Sequence, residues 1–109
     1  ILTRRSVDAC RDHYLRPGHD PRDPMVSPLF GRLDGLPPAL VQTADLDPIR
    51  DDGIRYADAL RAAGVPTRLT NYLRVPHGFA SMPGAAPSVG RQHRWELVNE
   101  LRTALSATA

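Results

Sequence analysis

The stretch Asp47-Pro48-Ile49-Arg50-Asp51-Asp52-Gly53 opens the part of the chain that decides its fold, and His77-Gly78-Phe79 closes it. A short apolar strand, residues 39 to 43, precedes the first stretch, and a second strand-like segment, residues 67 to 73, precedes the histidine. Because strands of a βαβ unit run in the same direction, the acid and the histidine should emerge at the same edge of the sheet. A carboxylate beside an imidazole fixes the tautomer and orientation of the ring, so the pattern predicts a site for proton transfer.

The remaining periodicity predicts helices around this unit. Three helices are expected, at residues 3 to 14 with Thr3 as N-cap, 51 to 63 with Gly64 after the C-terminus, and 91 to 106. Apolar residues at helical spacing should face the core, namely Val7, Cys10 and Tyr14 in the first helix and Trp95, Val98, Leu101 and Leu105 in the last. The sequence therefore predicts an α/β fold with two parallel strands and flanking helices.

Two strands are too few to form an independently stable sheet. The chain also starts without an initiator methionine. We therefore expect residues 1–109 to be the C-terminal portion of a single doubly wound α/β domain, with the rest of that domain as its partner.

The composition argues against several classes of protein. All 14 basic residues are arginines scattered among acids, and the net charge is only +2, so nucleic-acid binding is not expected. No apolar run approaches the roughly 18 residues that a transmembrane helix needs. The single cysteine, Cys10, cannot form an internal disulfide, and we expect a cytoplasmic protein with Cys10 buried as a small apolar residue.

Other chemistries fit the acidic residues less well. Asp45-Leu46-Asp47 has the Asp-x-Asp pattern of haloacid-dehalogenase-type phosphotransferases, but proline follows it and the chain contains no lysine. A calcium loop would need glycine at position 50, which is arginine. Four metal-capable side chains lie in or just before the first loop, namely His13, His19, Asp20 and Asp23. Their spacing matches no standard set of metal ligands. No metal is expected.

An ordered set of short motifs resembles the hormone-sensitive-lipase-like family of α/β-hydrolases. The motifs are Ser27-Pro28-Leu29, residues 35 to 41, residues 47 to 53 with Tyr56-Ala57 and Leu60, Ala63-Gly64-Val65, and His77-Gly78-Phe79. Each piece alone is weak, but their order and spacing extend over about residues 10 to 105.

The resemblance implies a role for two residues of this chain. Asp47 falls on the acid of the family's catalytic triad and His77 on its base. The match has small departures, since Ile49 replaces the usual leucine, Asp52 the usual glutamate, and Pro76 is unusual before the histidine. From the residues alone, Asp45, Asp51 and Asp52 compete with Asp47, although Asp51 and Asp52 suit the first turn of a helix.

The family's nucleophile and oxyanion hole are not recognisable here. They lie upstream in a Gly-Asp-Ser-Ala-Gly elbow and a His-Gly-Gly-Gly stretch. None of the serines of this chain has the Gly-x-Ser-x-Gly context, and these are Ser6, Ser27, Ser81, Ser88 and Ser106. The resemblance thus implies a carboxylic ester hydrolase with a serine mechanism and no cofactor, acting on small acyl esters, with this chain supplying Asp47 and His77. It also implies a homodimer through the last strand and helix. The alternative is an inactive truncated fragment or a non-enzymatic binding module.

Overall fold

The computed structural model describes residues 1–82, 84 and 86–106. The elements follow in the order α1 (Arg4–Tyr14), β1 (Ala39–Leu46), α2 (Arg50–Ala62), β2 (Thr67–Pro76) and α3 (Pro87–Ser106). Two single 3-10 turns, Pro28–Phe30 and Phe79–Ser81, precede β1 and follow β2. The fold is α/β, as predicted.

The two strands form a parallel sheet in which Ala39 pairs with Thr67 and Ala44 with Tyr72. Both strands are longer than the sequence predicts, because backbone pairing continues to Leu46 and Pro76. The predicted strands end where the apolar residues end. A strand continues, however, for as long as its backbone is paired, whatever its side chains are. Asp47 and His77 are therefore the residues that directly follow the two strands.

Helix α2 covers one face of the sheet and contributes to one of the two apolar clusters of the core. Ala57 and Leu60 are buried, and Leu60 clusters with Leu33 and Val65. The helix ends as predicted, since Gly64 adopts a positive φ of 80° that favours glycine.

Helix α3 covers the other face, but not with the side that the sequence predicts. Its buried residues are Gly90 and Glu96, whereas the predicted core stripe is exposed, with Trp95 67% and Leu105 71% accessible. Glu96 accounts for the difference, because its carboxylate accepts hydrogen bonds from side chains of both strands and so turns that side of the helix toward the sheet. The apolar stripe Trp95, Val98, Leu101 and Leu105 faces outward.

Helix α1 also differs from expectation in its packing. Thr3 caps it as predicted, accepting a hydrogen bond from the amide of Ser6 at 3.2 Å. No residue of α1 is buried, and both Cys10 and Tyr14 are exposed. The predicted stripe is therefore not part of a core within the described residues, because no other element there covers it. No helix in this part of the chain has the length and apolar character needed to cross a bilayer.

The contact between α2 and β1 depends on Gly53. A Cβ atom placed on Gly53 would lie 2.7 Å from Cγ2 of Thr43, whose hydroxyl is fixed by a hydrogen bond to Asn71. Gly90 in α3 has no such constraint, since a Cβ there meets only Arg94 at 3.8 Å.

Gly53→Ala should therefore destabilise the protein by about 1 kcal/mol, since overpacking outweighs the helix propensity gained. Gly90→Ala is the matched control and should be neutral or stabilising by up to about 1 kcal/mol. Urea unfolding of both variants of the complete protein measures the difference. Equal stabilities for the two variants would contradict this account of the α2–β1 contact.

Candidate active site

Asp47 and His77 meet at the carboxyl edge of the sheet. Nδ1 of His77 lies 2.7 Å from Oδ2 of Asp47, a hydrogen-bond distance across 30 residues of sequence. The Asp47 side chain is only 11% exposed, whereas that of His77 is 45% exposed. The carboxylate is thus sheltered while the imidazole is accessible, and the expected approach of these two side chains is present.

The turn from β1 into α2 orients the Asp47 carboxylate. Its Oδ1 accepts a hydrogen bond from the amide of Ile49 at 3.0 Å, and its backbone carbonyl accepts one from the amide of Arg50 at 3.1 Å. One carboxylate oxygen is therefore held by the backbone, which leaves Oδ2 directed at His77. Pro48 can occupy this turn because the amide it lacks is not needed by either bond.

The three competing acids are engaged elsewhere. Asp45 lies 3.3 Å from Nη1 of Arg50, and Asp51 lies 2.9 Å from the same guanidinium. Asp52 pairs with Arg55 at 3.7 Å on the exposed face of α2. Among the described residues, Asp47 is the only carboxylate within ion-pair distance of His77.

The loop after β2 holds His77 in place. Gly78 adopts a positive φ of 74°, which turns the chain so that Phe79 is buried. The Phe79 ring packs against the rings of Tyr72 and His93, each with centroids 5.4 Å apart. Since Nδ1 of His77 is engaged by Asp47, Nε2 is the ring nitrogen left for proton transfer to a bound group.

A polar network behind the sheet supports this aromatic cluster, and the sequence reasoning missed it. The Glu96 carboxylate accepts hydrogen bonds from Thr70 at 2.6 Å, from Gln42 at 2.9 Å and from the Tyr72 hydroxyl. Nε of Arg68 lies 3.0 Å from the same carboxylate. Polar residues at alternate positions of β2, with an acid in the middle of the last helix, are the signal that could have revealed the network.

Burial and hydrogen bonding set the ionisation of this network. Burial of Tyr72, with a contribution from the neighbouring Glu96 carboxylate, raises the pKa of the phenol to about 12. Burial alone would raise the pKa of Glu96, but hydrogen bonds from Thr70, Tyr72 and Gln42 outweigh it and leave that pKa below its usual value. Glu96 is therefore ionised, and Tyr72 protonated, at neutral pH.

An open groove of about 420 Å³ runs along the free edge of β1 to the Asp47–His77 pair. Its walls come from both sides of the sheet, with Gly53 on one side and His93 on the other. The buried Nδ1 of His93 has no hydrogen-bond partner within the described residues. No serine lines this groove, and no cluster of three or more metal-binding side chains occurs in the described part of the chain.

Comparisons with known proteins identify the family of this chain. A family model described as alpha/beta hydrolase fold matches residues 1–81. The chain belongs to the α/β-hydrolase family. This result confirms the family resemblance and the fold class inferred from the motifs.

Several of the relatives are named as ester hydrolases. The chain is 42% identical to carboxylic ester hydrolase LipN of Mycobacterium tuberculosis, over 97% of this chain and 28% of that protein. It is 41% identical to carboxylesterase NlhH of the same organism, over 84% of this chain and 31% of that protein. A hyperthermophilic esterase from the archaeon Pyrobaculum calidifontis superposes with a TM-score of 0.87 and 34% identity, over 96% of this chain and 34% of that one. This chain thus spans about three tenths of the length of these two relatives.

Glu96→Gln should destabilise the protein at neutral pH by about 1–3 kcal/mol, because it weakens hydrogen bonds to a buried charge. A folded pKa below the unfolded value of about 4.3 contributes stability above that pH, and the contribution is lost as pH falls through the folded pKa. The difference between wild type and variant should therefore shrink as the pH falls below about 4.3.

The matched control is Glu100→Gln, on the same helix. Glu100 is more exposed and, among the described residues, pairs with Arg68 alone, so its loss should cost less than about 1 kcal/mol. Thermal unfolding as a function of pH measures both variants. Equal effects of the two substitutions, or a Glu96→Gln effect that is independent of pH, would contradict the buried-carboxylate account.

Proposed function

We propose that the complete protein is a carboxylic ester hydrolase with a serine mechanism, and that residues 1–109 are the C-terminal portion of its single α/β domain. Asp47 and His77 are the acid and base of its catalytic triad. The observation that carries the proposal is their 2.7 Å contact at the carboxyl edge of two parallel strands, where active sites of open α/β sheets lie. The ester hydrolases among its relatives support the choice of reaction.

In this mechanism His77 accepts the proton of an attacking serine hydroxyl through Nε2. Asp47 holds the ring through Nδ1 and stabilises the imidazolium that forms. The serine ester of the acyl group then forms as the alcohol leaves, and His77 supplies the proton to that alcohol. In the second half of the reaction the same imidazole deprotonates a water that attacks the acyl carbon, the bond from that carbon to the serine oxygen breaks, and His77 returns the proton to the serine as the acid leaves. The substrates are small acyl esters, and no cofactor takes part.

The nucleophile and the oxyanion hole come from the part of the domain outside residues 1–109. The groove along β1 is where that part packs. Within the described residues, the outer edge of β1 has no partner strand and the buried Nδ1 of His93 beside the same groove has no hydrogen-bond partner, and both observations support this assignment. A cytoplasmic location stays a prediction.

The triad assignment predicts a large loss of activity in Asp47→Asn. An amide at this position no longer favours the tautomer that transfers protons, so kcat should fall by up to about 10⁴-fold with the melting temperature little changed. The comparison is hydrolysis of a short-chain nitrophenyl ester by variants of the complete enzyme.

Asp45→Asn is the matched control, because Asp45 lies two residues away and pairs with Arg50 rather than His77. It should keep most of the activity. A variant pair in which Asp45→Asn is inactive and Asp47→Asn is active would overturn the assignment. Full activity in both variants would also contradict the assignment, and a wild type that hydrolyses no ester would favour an inactive fragment or a binding module instead.

We also propose that the complete protein is a homodimer through residues 67–73 and 91–106. The outer edge of β2 has no partner strand in the described part of the chain, and the outward stripe of α3 exposes Trp95, Val98 and Leu101. A second copy would cover both features.

Sedimentation should therefore show a dimer at micromolar concentration, and Val98→Arg should shift it toward monomer. Ala62→Arg, an exposed position in α2 on the other face of the sheet, should leave the dimer intact. A monomeric wild type at high concentration would rule this interface out.

A further inference from the structure

The pairing of the two strands changes register just before the proposed site. Ala44 pairs with Tyr72, a sequence offset of 72 − 44 = 28, whereas Leu46 pairs with Pro76, an offset of 76 − 46 = 30. Residues 73 to 75 of β2 therefore lie opposite the single residue Asp45 of β1. The extra residues form a bulge in β2.

Arg74 lies at the centre of this bulge with a φ of 60°, the left-handed region. It is the only non-glycine residue with a positive φ among the described residues. For an L-residue with a Cβ this conformation is unfavourable, so the surrounding structure must impose it.

The bulge decides which residue of β2 lies level with Asp47. With the offset of 28 found in the body of the sheet, position 75 would be opposite Asp47, since 47 + 28 = 75. With the offset of 30 beyond the bulge, the residue opposite Asp47 is His77, since 47 + 30 = 77. Without the bulge, an apolar valine would stand level with the carboxylate.

The bulge is fixed on both sides by buried residues. On one side the Tyr72 hydroxyl donates to the buried Glu96 carboxylate, and on the other Val75 is only 2% exposed. The side chain of Arg74 itself is exposed, and no ion pair or hydrogen bond holds its guanidinium in the described part of the chain. The neighbouring residues thus hold the backbone of Arg74 in its left-handed conformation, and no described contact of its side chain stabilises that conformation.

We propose that Arg74 is a positioning residue, which acts through its left-handed backbone to shift the register and bring His77 opposite Asp47. The proposal rests on the proposed function for its catalytic consequence. If the proposal holds, the effect of a substitution at position 74 depends on how readily the new residue adopts a positive φ and does not depend on its charge.

Substitutions in the complete enzyme test this requirement. Arg74→Gly should keep kcat and raise the melting temperature, because glycine adopts the conformation without strain. Arg74→Val should lower kcat by about 10²-fold with KM little changed, since a β-branched residue resists positive φ and a displacement of about 1 Å at a catalytic group has an effect of that size. Arg74→Ala should fall between them, and Arg74→Lys should resemble the wild type.

Leu73→Val is the matched control, because Leu73 is the exposed neighbour in the same bulge with an ordinary negative φ. It should leave kcat unchanged. The second readout is the low-field proton NMR resonance of His77 Nδ1, which should persist in Arg74→Gly and weaken or vanish in Arg74→Val. If Arg74→Val does not fold, the order of kcat among the glycine variant, the wild type and the alanine variant decides whether a positive φ is what position 74 requires.

A loss of activity in Arg74→Gly that Arg74→Lys does not share would show that the guanidinium matters and would overturn the proposal. An Arg74→Val enzyme with normal kcat and a normal resonance would also overturn it. If the wild type hydrolyses no ester, the proposed function falls, and the NMR comparison alone then decides whether position 74 sets the register.

Discussion

Parallel pairing of β1 with β2 places two residues 30 positions apart in sequence at one edge of the sheet, and the remaining features of the site depend on that placement. A parallel pair needs a crossover, which α2 supplies, and the crossover starts with the turn that fixes the Asp47 carboxylate. The geometry of the proposed acid is therefore a consequence of how the chain leaves β1. The geometry of the proposed base depends on how the chain leaves β2, through the bulge and Gly78.

The face of the sheet opposite α2 is held by charge and hydrogen bonding rather than by apolar packing. Glu96 is 5% exposed, and a buried carboxylate is tolerated only because side chains of both strands donate to it. The same network fixes the Tyr72 ring, against which Phe79 packs. A continuous series of side-chain contacts therefore connects the middle of α3 with the loop that carries His77.

Sequence reasoning reached the parallel sheet, the three helices and the Asp47–His77 contact because each depends on local signals. The apolar core of each strand, a capped helix and the ordered motifs can all be recognised from neighbouring residues. It failed for the core face of α3, because a rule that places apolar residues inside cannot foresee a helix oriented by one buried acid. It also failed for Cys10 and Tyr14, since a stripe at helical spacing gives no information about which element covers it. The bulge was equally unpredictable, because arginine carries no sequence signal for a left-handed conformation.

The central claim is that this chain supplies the acid and base for a nucleophile that lies outside residues 1–109. The most direct measurement is labelling of the complete protein with a fluorophosphonate, which reacts covalently with activated serines, followed by peptide mapping. The account predicts one modified serine outside residues 1–109, and it predicts that His77→Ala slows the labelling strongly. Modification of any of the five serines within the chain, or labelling of the outside serine at the same rate without His77, would contradict it.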